Sequence, residues 1–135
     1  MKLTLVSSAV MAIALSAQMA TAHTTLTANV PFEFQAGDNR MPAGHYSIVR
    51  LHNNILVLQH TSTRQNLIQS VNPESTANVQ EKGKLVFNRH GEAYFLSQVW
   101  APGTVNGCSL RSGKREAEMK RASNERKTVV VVAKR

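Results

Sequence analysis

The 135-residue chain has little of several features that define common protein classes. It contains one cysteine, Cys108, which excludes an internal disulfide framework and any zinc or redox site built on paired cysteines. Aromatic residues make up 5% of the chain and its 7 glycines are scattered, which excludes collagen-like and low-complexity classes. The length allows one ordinary domain with a single core.

Motifs of catalytic chemistry are missing as well. The sequence has no GxSxG or SxxK motif, no glycine-rich phosphate loop, and no HxH, HxxxH or HExxH spacing. The acidic residues before position 111 are Glu33, Asp38, Glu74, Glu81 and Glu92. They are too few and too scattered along the sequence to predict a catalytic acid/base pair. We therefore expect a protein that is not an enzyme.

The only apolar run in the sequence that approaches the length of a membrane span lies at the N-terminus. Lys2 precedes an apolar stretch from Leu3 to Ala17, and Ala20-Thr21-Ala22 places small residues where a signal peptidase cleaves. This pattern predicts a signal peptide over residues 1–22 and an exported protein, periplasmic or extracellular, without a transmembrane segment after processing. A buried N-terminal helix or a retained anchor is the alternative.

Cleavage after Ala22 would make His23 the first residue of the mature protein. A free N-terminal amine and the imidazole of the same histidine can chelate one copper ion, as in the copper brace of some exported β-sandwich proteins. The sequence therefore offers copper as a possible cofactor with His23 as its ligand, and otherwise predicts none. The remaining histidines, at turns or strand ends, are expected to be surface residues: His45, His52, His60 and His90.

Positive charge is concentrated at the C-terminus. Residues 23–110 carry 6 basic and 5 acidic residues, whereas residues 111–135 carry 9 basic and 3 acidic ones. Export disfavours nucleic acid as the partner and favours an anionic envelope polymer or lipid surface, while a merely solubilising extension is the alternative. The predicted contact residues are Arg111, Lys114, Arg115, Lys120, Arg121, Arg126 and Lys127.

The segment 23–110 alternates apolar and polar residues between turns, which predicts an all-β domain. We expect an antiparallel β-sandwich or a small barrel of six to eight short strands. A barrel could also carry a small apolar ligand in its interior, which is a third hypothesis for function. The stretch from Asn72 to Gly83 has no clean period and is predicted to be a loop.

The sequence predicts the register of two β-hairpins. With Asn53-Asn54 as a two-residue turn, Leu51 faces Leu56 and Val49 faces Leu58. With His90-Gly91 as the second turn, the facing pairs are Arg89 with Glu92, Phe87 with Tyr94, and Leu85 with Leu96. The second hairpin has apolar residues on both faces, which indicates a strand that is covered on both sides.

The basic segment 111–135 divides into two predicted elements. Residues 113–122 are rich in helix formers, and Glu116 and Lys120 form a favourable i,i+4 pair. Residues 128–133 are a β-branched run between charged residues, which predicts a final strand docked on the sheet.

Two segments of the chain carry a resemblance. VPFEFQAGDNRMPAGHYSIVRL (residues 30–51) and KLVFNRHGEAYFLSQVW (residues 84–100) resemble a family of small, uncharacterised secreted bacterial proteins. That family shares a VPFxFxxG…PAGxYxV stretch and a KLVFxRxGxxYFLxxxW stretch. The resemblance implies export and β structure, and it implies no reaction and no catalytic residues.

Overall fold

The computed structural model describes residues 25–52, 54–122 and 125–134. Within these ranges the chain forms eleven strands and one helix. The elements are β1 (Thr25–Val30), β2 (Phe34–Ala36), β3 (Asn39–Met41), β4 (Gly44–Leu51), β5 (Ile55–His60), β6 (Asn66–Ser70), β7 (Asn72–Gln80), β8 (Gly83–His90), β9 (Ala93–Trp100), β10 (Thr104–Ser109), α1 (Lys114–Ala122) and β11 (Lys127–Lys134). The expected all-β fold with a short C-terminal helix is confirmed.

The strands form a sheet that nearly closes into a barrel. Nine of them are hydrogen-bonded in the order β3-β2-β9-β8-β11-β1-β4-β5-β6. Strand β10 pairs with both β9 and β7, and β7 follows β6 after Val71 alone. From β9 the pairings therefore continue through β10 to β7, and the chain itself connects β7 to β6. Almost all pairings are antiparallel, as expected, and the exception is the short parallel contact of β2 with β9.

The space between β9 and β6 is closed by different elements at its two ends. At one end, β10 and β7 bridge it with backbone pairing. At the other end, the β2–β3 hairpin approaches the start of β6 through side chains. The amide of Gln65 donates to the backbone oxygen of Arg40 at 3.4 Å and lies 3.7 Å from the sulfur of Met41.

Large inward-facing side chains fill the interior. Tyr46 and Phe87 are at most 1% exposed, and the ring of Phe34 contacts both at centroid distances of 5.3 and 5.2 Å. Phe32, between β1 and β2, stacks on Tyr94 at 3.8 Å. These rings occupy space that a carrier of an apolar ligand would have to leave open.

The first predicted hairpin forms with a different register. Val49 pairs with Val57 and not with Leu58, because three residues separate β4 from β5 and His52 adopts a positive φ of 51°. Since neighbouring side chains in a strand point to opposite faces, this shift of one residue moves Val49 to the outer face. The predicted register was wrong, and Ile48 takes the buried position instead.

In the second hairpin the turn is shifted by one residue, which shifts the facing pairs by two. Its turn is Gly91-Glu92, where Gly91 has a φ of 62°, and Phe87 pairs with Leu96 instead of Tyr94. A bulge beside Phe87 then changes the register of the remaining pairs. The prediction of apolar burial on both faces is confirmed, because both Phe95 and Leu96 are buried.

The predicted loop over residues 72–83 is wrong, since most of it forms β7 paired with β10. All nine residues of β7 are exposed or half-buried, so neither face carries the alternation that marks a strand in a sequence. Pro73 and Glu74 are typical of a strand near a sheet edge, where they discourage further pairing. This strand and the three-residue β2 and β3 raise the strand number above the expected six to eight.

The two elements predicted for the C-terminal segment are present. The helix predicted over 113–122 is α1, and the strand predicted over 128–133 is β11. Strand β11 lies between β8 and β1, with seven registered pairs to β8. The last strand of the chain therefore completes the sheet, and the basic segment is part of the barrel wall.

Candidate functional site

The N-terminus of α1 is fixed to the turn between β2 and β3. The backbone N–H of Lys114 donates to Oδ1 of Asp38 at 2.8 Å. Gly113 lies so close to this turn that a Cβ atom there would be 2.4 Å from the backbone oxygen of Gly37. Because N–H groups in the first turn of a helix lack intrahelical partners, the carboxylate of Asp38 caps α1 and complements its dipole.

A buried polar contact joins the middle of α1 to β8. Glu116 is 7% exposed, and its Oε1 accepts a hydrogen bond from the side-chain amide of Asn88 at 3.2 Å. The same oxygen lies 3.5 Å from Nε2 of His90, whose ring packs edge-on against Phe95. Helix α1 thus covers the outer side of the β8–β9 hairpin, and one negative charge of the basic segment is turned away from solvent.

The seven basic residues predicted to contact an anionic surface are all exposed. On the helix, Lys114 and Arg121 are seven residues apart and share a face with Glu118. Arg115 lies on a flank of the helix, beside the sheet. The exposed set comprises Arg111, Lys114, Arg115, Lys120, Arg121, Arg126 and Lys127.

A further cation from the barrel joins this set at the start of β11. Lys127 is the register partner of Arg89 on β8, so two positive charges face each other across the ladder. The guanidinium of Arg89 donates to the backbone oxygen of Gly91 at 2.8 Å and lies 5.5 Å from the ring centroid of Tyr94. Glu125 lines the same small cleft of about 180 Å³ and lowers the local positive charge.

A larger cleft of about 420 Å³ lies between α1, the β2–β3 hairpin and the start of β9. Arg115 and Met119 line it from the helix. The opposite wall includes Glu33 and Arg40, which form an ion pair with each other. The mixture of charges makes this cleft less positive than the outer surface of α1.

The predicted copper ligand His23 lies outside the described residues. Within residues 25–52, 54–122 and 125–134, no group of three or more His, Cys, Asp and Glu side chains could hold a metal ion. The copper hypothesis therefore stays a prediction about the N-terminus. In the same ranges, no helix is both long and apolar enough to cross a membrane.

Two histidines expected at the surface are buried. His60 is 5% exposed, and its Nδ1 accepts from the backbone N–H of Thr63 while Nε2 donates to the backbone oxygen of Ala43. His90 is 1% exposed beneath α1. The surface prediction was wrong at both positions because each ring has a structural partner on another element. His45 and His52 are exposed, as expected.

Cys108 is fully buried in the core. Burial raises the pKa of its thiol, and the nearby guanidinium of Arg50 partly opposes this increase. A buried thiol with a raised pKa is a poor nucleophile, and its position keeps it from pairing with another chain. A lone cysteine is either buried or available for pairing with another chain, and burial is what the structure shows for Cys108.

Sequence reasoning missed the contacts that fix the basic segment. Asp38 is separated from Lys114 by 76 residues, and Asn88 from Glu116 by 28. No local pattern links residues so far apart. The one available signal was the pair of carboxylates, Glu116 and Glu118, among five cations in the stretch 111–121, and it does not show which of the two is buried.

The fold and the site together define a small barrel-like β protein with a basic, helix-bearing segment fixed to its outer wall. No protein-family model, no curated protein and no solved structure matches the chain. The family suggested by residues 30–51 and 84–100 therefore stays a prediction.

Proposed function

We propose that the protein is an exported, non-enzymatic module of the cell envelope that binds phosphate-bearing anionic surfaces through its C-terminal basic segment. The binding groups in this proposal are the seven exposed cations described above, with Arg89 as an additional contact. The phosphate groups could belong to an envelope polymer or to lipid headgroups, which share the same chemistry toward lysine and arginine.

The observation that supports the proposal most directly is the exposure of all seven cations on a segment that is held to the barrel at several points. A solubilising extension has no need of fixed geometry. Here Asp38 caps the helix, Glu116 contacts β8, and Lys127 begins a strand that completes the sheet. Ordered cations lose little further conformational entropy when they bind, so they gain more affinity than cations on a disordered tail.

The experiment should remove charge and leave the fold intact. Truncation is unsuitable because it would remove α1 and its buried contact with β8, so we choose Lys120→Gln, Arg121→Gln and Arg126→Gln, three exposed positions. A basic residue near an anionic membrane surface contributes about 1 kcal/mol, so the triple variant should bind on the order of a hundredfold more weakly. Binding of the mature protein is measured with polyphosphate and with phosphatidylglycerol vesicles, in low and high salt.

Two controls make the result specific. The charge-conserving triple variant Lys120→Arg, Arg121→Lys and Arg126→Lys should keep full affinity for at least one probe. Arg64→Gln removes an exposed cation of the barrel outside the segment, and it should change binding less than Arg121→Gln does. Affinity for both probes that is unaffected by the triple neutralisation would refute the proposal, and the two probes distinguish polymer from lipid.

A further inference from the structure

The outer face of β8 and β11 carries an exposed aliphatic row. Val130 pairs with Val86 in the ladder, and Val132 is two residues further along the same face of β11. Val130 and Val132 are each 52% exposed and Val86 is half-buried, whereas Val129 and Val131, which alternate with them, pack against the core. We name Val86, Val130 and Val132 the valine face.

Lysines lie at one end of this face on the barrel itself. Lys84 is the register partner of Val132, and Lys134 follows Val132 on the same side of β11. Beyond the end of the row lies an open cleft of about 540 Å³, to which Lys82, Lys134, Pro102 and Val132 contribute. Glu81 is an acidic residue in the lining of this cleft.

We propose that the valine face docks against an anionic lipid surface, with its valines in contact with the acyl region and Lys82, Lys84 and Lys134 at the headgroup phosphates. This inference rests on the proposed function and selects lipid from its two phosphate sources. Two kinds of side chain lie together on this part of the barrel. Lysines are enough to bind a polyanionic polymer, whereas exposed valines make the free energy of binding more favourable only when they leave water for an apolar phase. Lysine stems can also bury their methylenes while the ammonium groups stay at the phosphates.

The position of α1 agrees with this arrangement. The helix covers the β8–β9 hairpin near Asn88, and Asn88 is the register partner of Thr128 at the other end of the same outer ladder. The exposed cations of the basic segment and the valine face therefore lie on adjoining parts of one side of the barrel.

The decisive variant is Val130→Thr with Val132→Thr in the full processed protein. Threonine keeps the β-branched shape and strand propensity of valine and replaces one methyl group by a hydroxyl. Loss of two apolar contacts should weaken binding to phosphatidylglycerol–phosphatidylcholine vesicles by roughly tenfold. Binding to polyphosphate, measured in the same buffer, should not change. Ile68→Thr is the matched control, because Ile68 is 72% exposed on β6, outside the valine face.

Each outcome decides the inference. Selective loss of vesicle binding by the double variant, with Ile68→Thr unchanged, supports it. Vesicle binding that survives the double substitution overturns it, as does an equal loss toward both probes. A wild-type protein that binds polyphosphate and no vesicles overturns the lipid inference and leaves the proposed function standing, whereas failure with both probes refutes both. Valine-dependent dimers in sedimentation without lipid would assign the face to a second copy of the chain instead.

Discussion

The carboxylate of Asp38 accepts a hydrogen bond at 2.8 Å from the backbone N–H of Lys114, 76 residues later in the chain. This contact connects the β2–β3 turn to the first turn of α1. It decides how the basic segment is presented, because a helix that starts at a fixed point keeps its cations at fixed distances from the barrel. The presentation of charge therefore depends on a residue outside the basic segment.

Substitution Asp38→Ala should release the start of α1. Loss of a capping side chain costs about 1 kcal/mol, and we expect a decrease of that size in the free energy of unfolding. Hydrogen exchange of the amides in residues 114–117 should accelerate more than that of amides in β8. Asp38→Asn keeps an acceptor at the same position and should recover most of the loss. Equal effects of alanine and asparagine would show that the cap is not the cause.

The sequence predicted α1 and β11 within one or two residues and the docking of β11 on the sheet, but not the attachment of α1. Helix formers between residues 113 and 122 and the valine run after Arg126 are local signals, which a single sequence displays. The cap by Asp38 and the contact of Asn88 with Glu116 depend on tertiary structure. The seven candidate cations could be predicted for a simpler reason, since charged side chains are rarely buried.

Glu116 should matter more for stability than its place on a charged helix suggests. In Glu116→Ala, the amide of Asn88 loses its acceptor and His90 loses its neighbouring carboxylate while the ring stays buried. A buried polar group without a partner costs about 1–3 kcal/mol, and we expect destabilisation in this range by urea unfolding. Glu118→Ala, at an exposed position of the same helix, is the control and should cost far less. Similar losses for the two variants would contradict the buried contact.

Gly107 should tolerate no side chain. A Cβ atom at this position would lie 2.5 Å from Cε3 of Trp100, and β10 would have to move away from β9. Overpacking of a tight contact costs about 1–3 kcal/mol, so Gly107→Ala should lower the thermal midpoint and shift the fluorescence of the single tryptophan. Gly103→Ala is the comparison, because it meets no atom within 4 Å and carries only the strain of its φ of 73°. An unchanged tryptophan spectrum in Gly107→Ala would count against the packing described.

The two hairpin registers show where sequence reasoning reached its limit. Turn residues and alternation agreed on pairs that lie one residue from the observed ones in the first hairpin and two residues from them in the second. The difference comes from the three-residue separation of β4 and β5 with a left-handed His52, and from a turn at Gly91-Glu92 followed by a bulge. Positive φ is uncommon for residues other than glycine, and no residue pattern in this hairpin marks the bulge beside Phe87. The half-buried position of Val49 on the outer face follows from the shift in the first hairpin.

Tyr46 should make the protein less stable in alkali. It is buried, its hydroxyl donates to the backbone oxygen of Pro42, and burial raises its pKa from 10.0 to about 12. The unfolded chain therefore loses the phenolic proton at lower pH than the folded chain. The stabilisation from the neutral phenol is complete below pH 10 and is lost as pH rises from 10 to 12.

The size of this effect can be isolated with Tyr46→Phe, which has no phenolic proton. Between pH 9 and pH 12 the free energy of unfolding should fall by roughly 2 kcal/mol more in the wild type than in the variant. Cys108, whose pKa is also raised by burial, is present in both proteins and cancels in the difference. Tyr94→Phe keeps Tyr46 and should retain the alkaline loss. Parallel pH profiles for the wild type and Tyr46→Phe would show that the buried phenol does not control alkaline stability, and the change would then belong to other titrating groups.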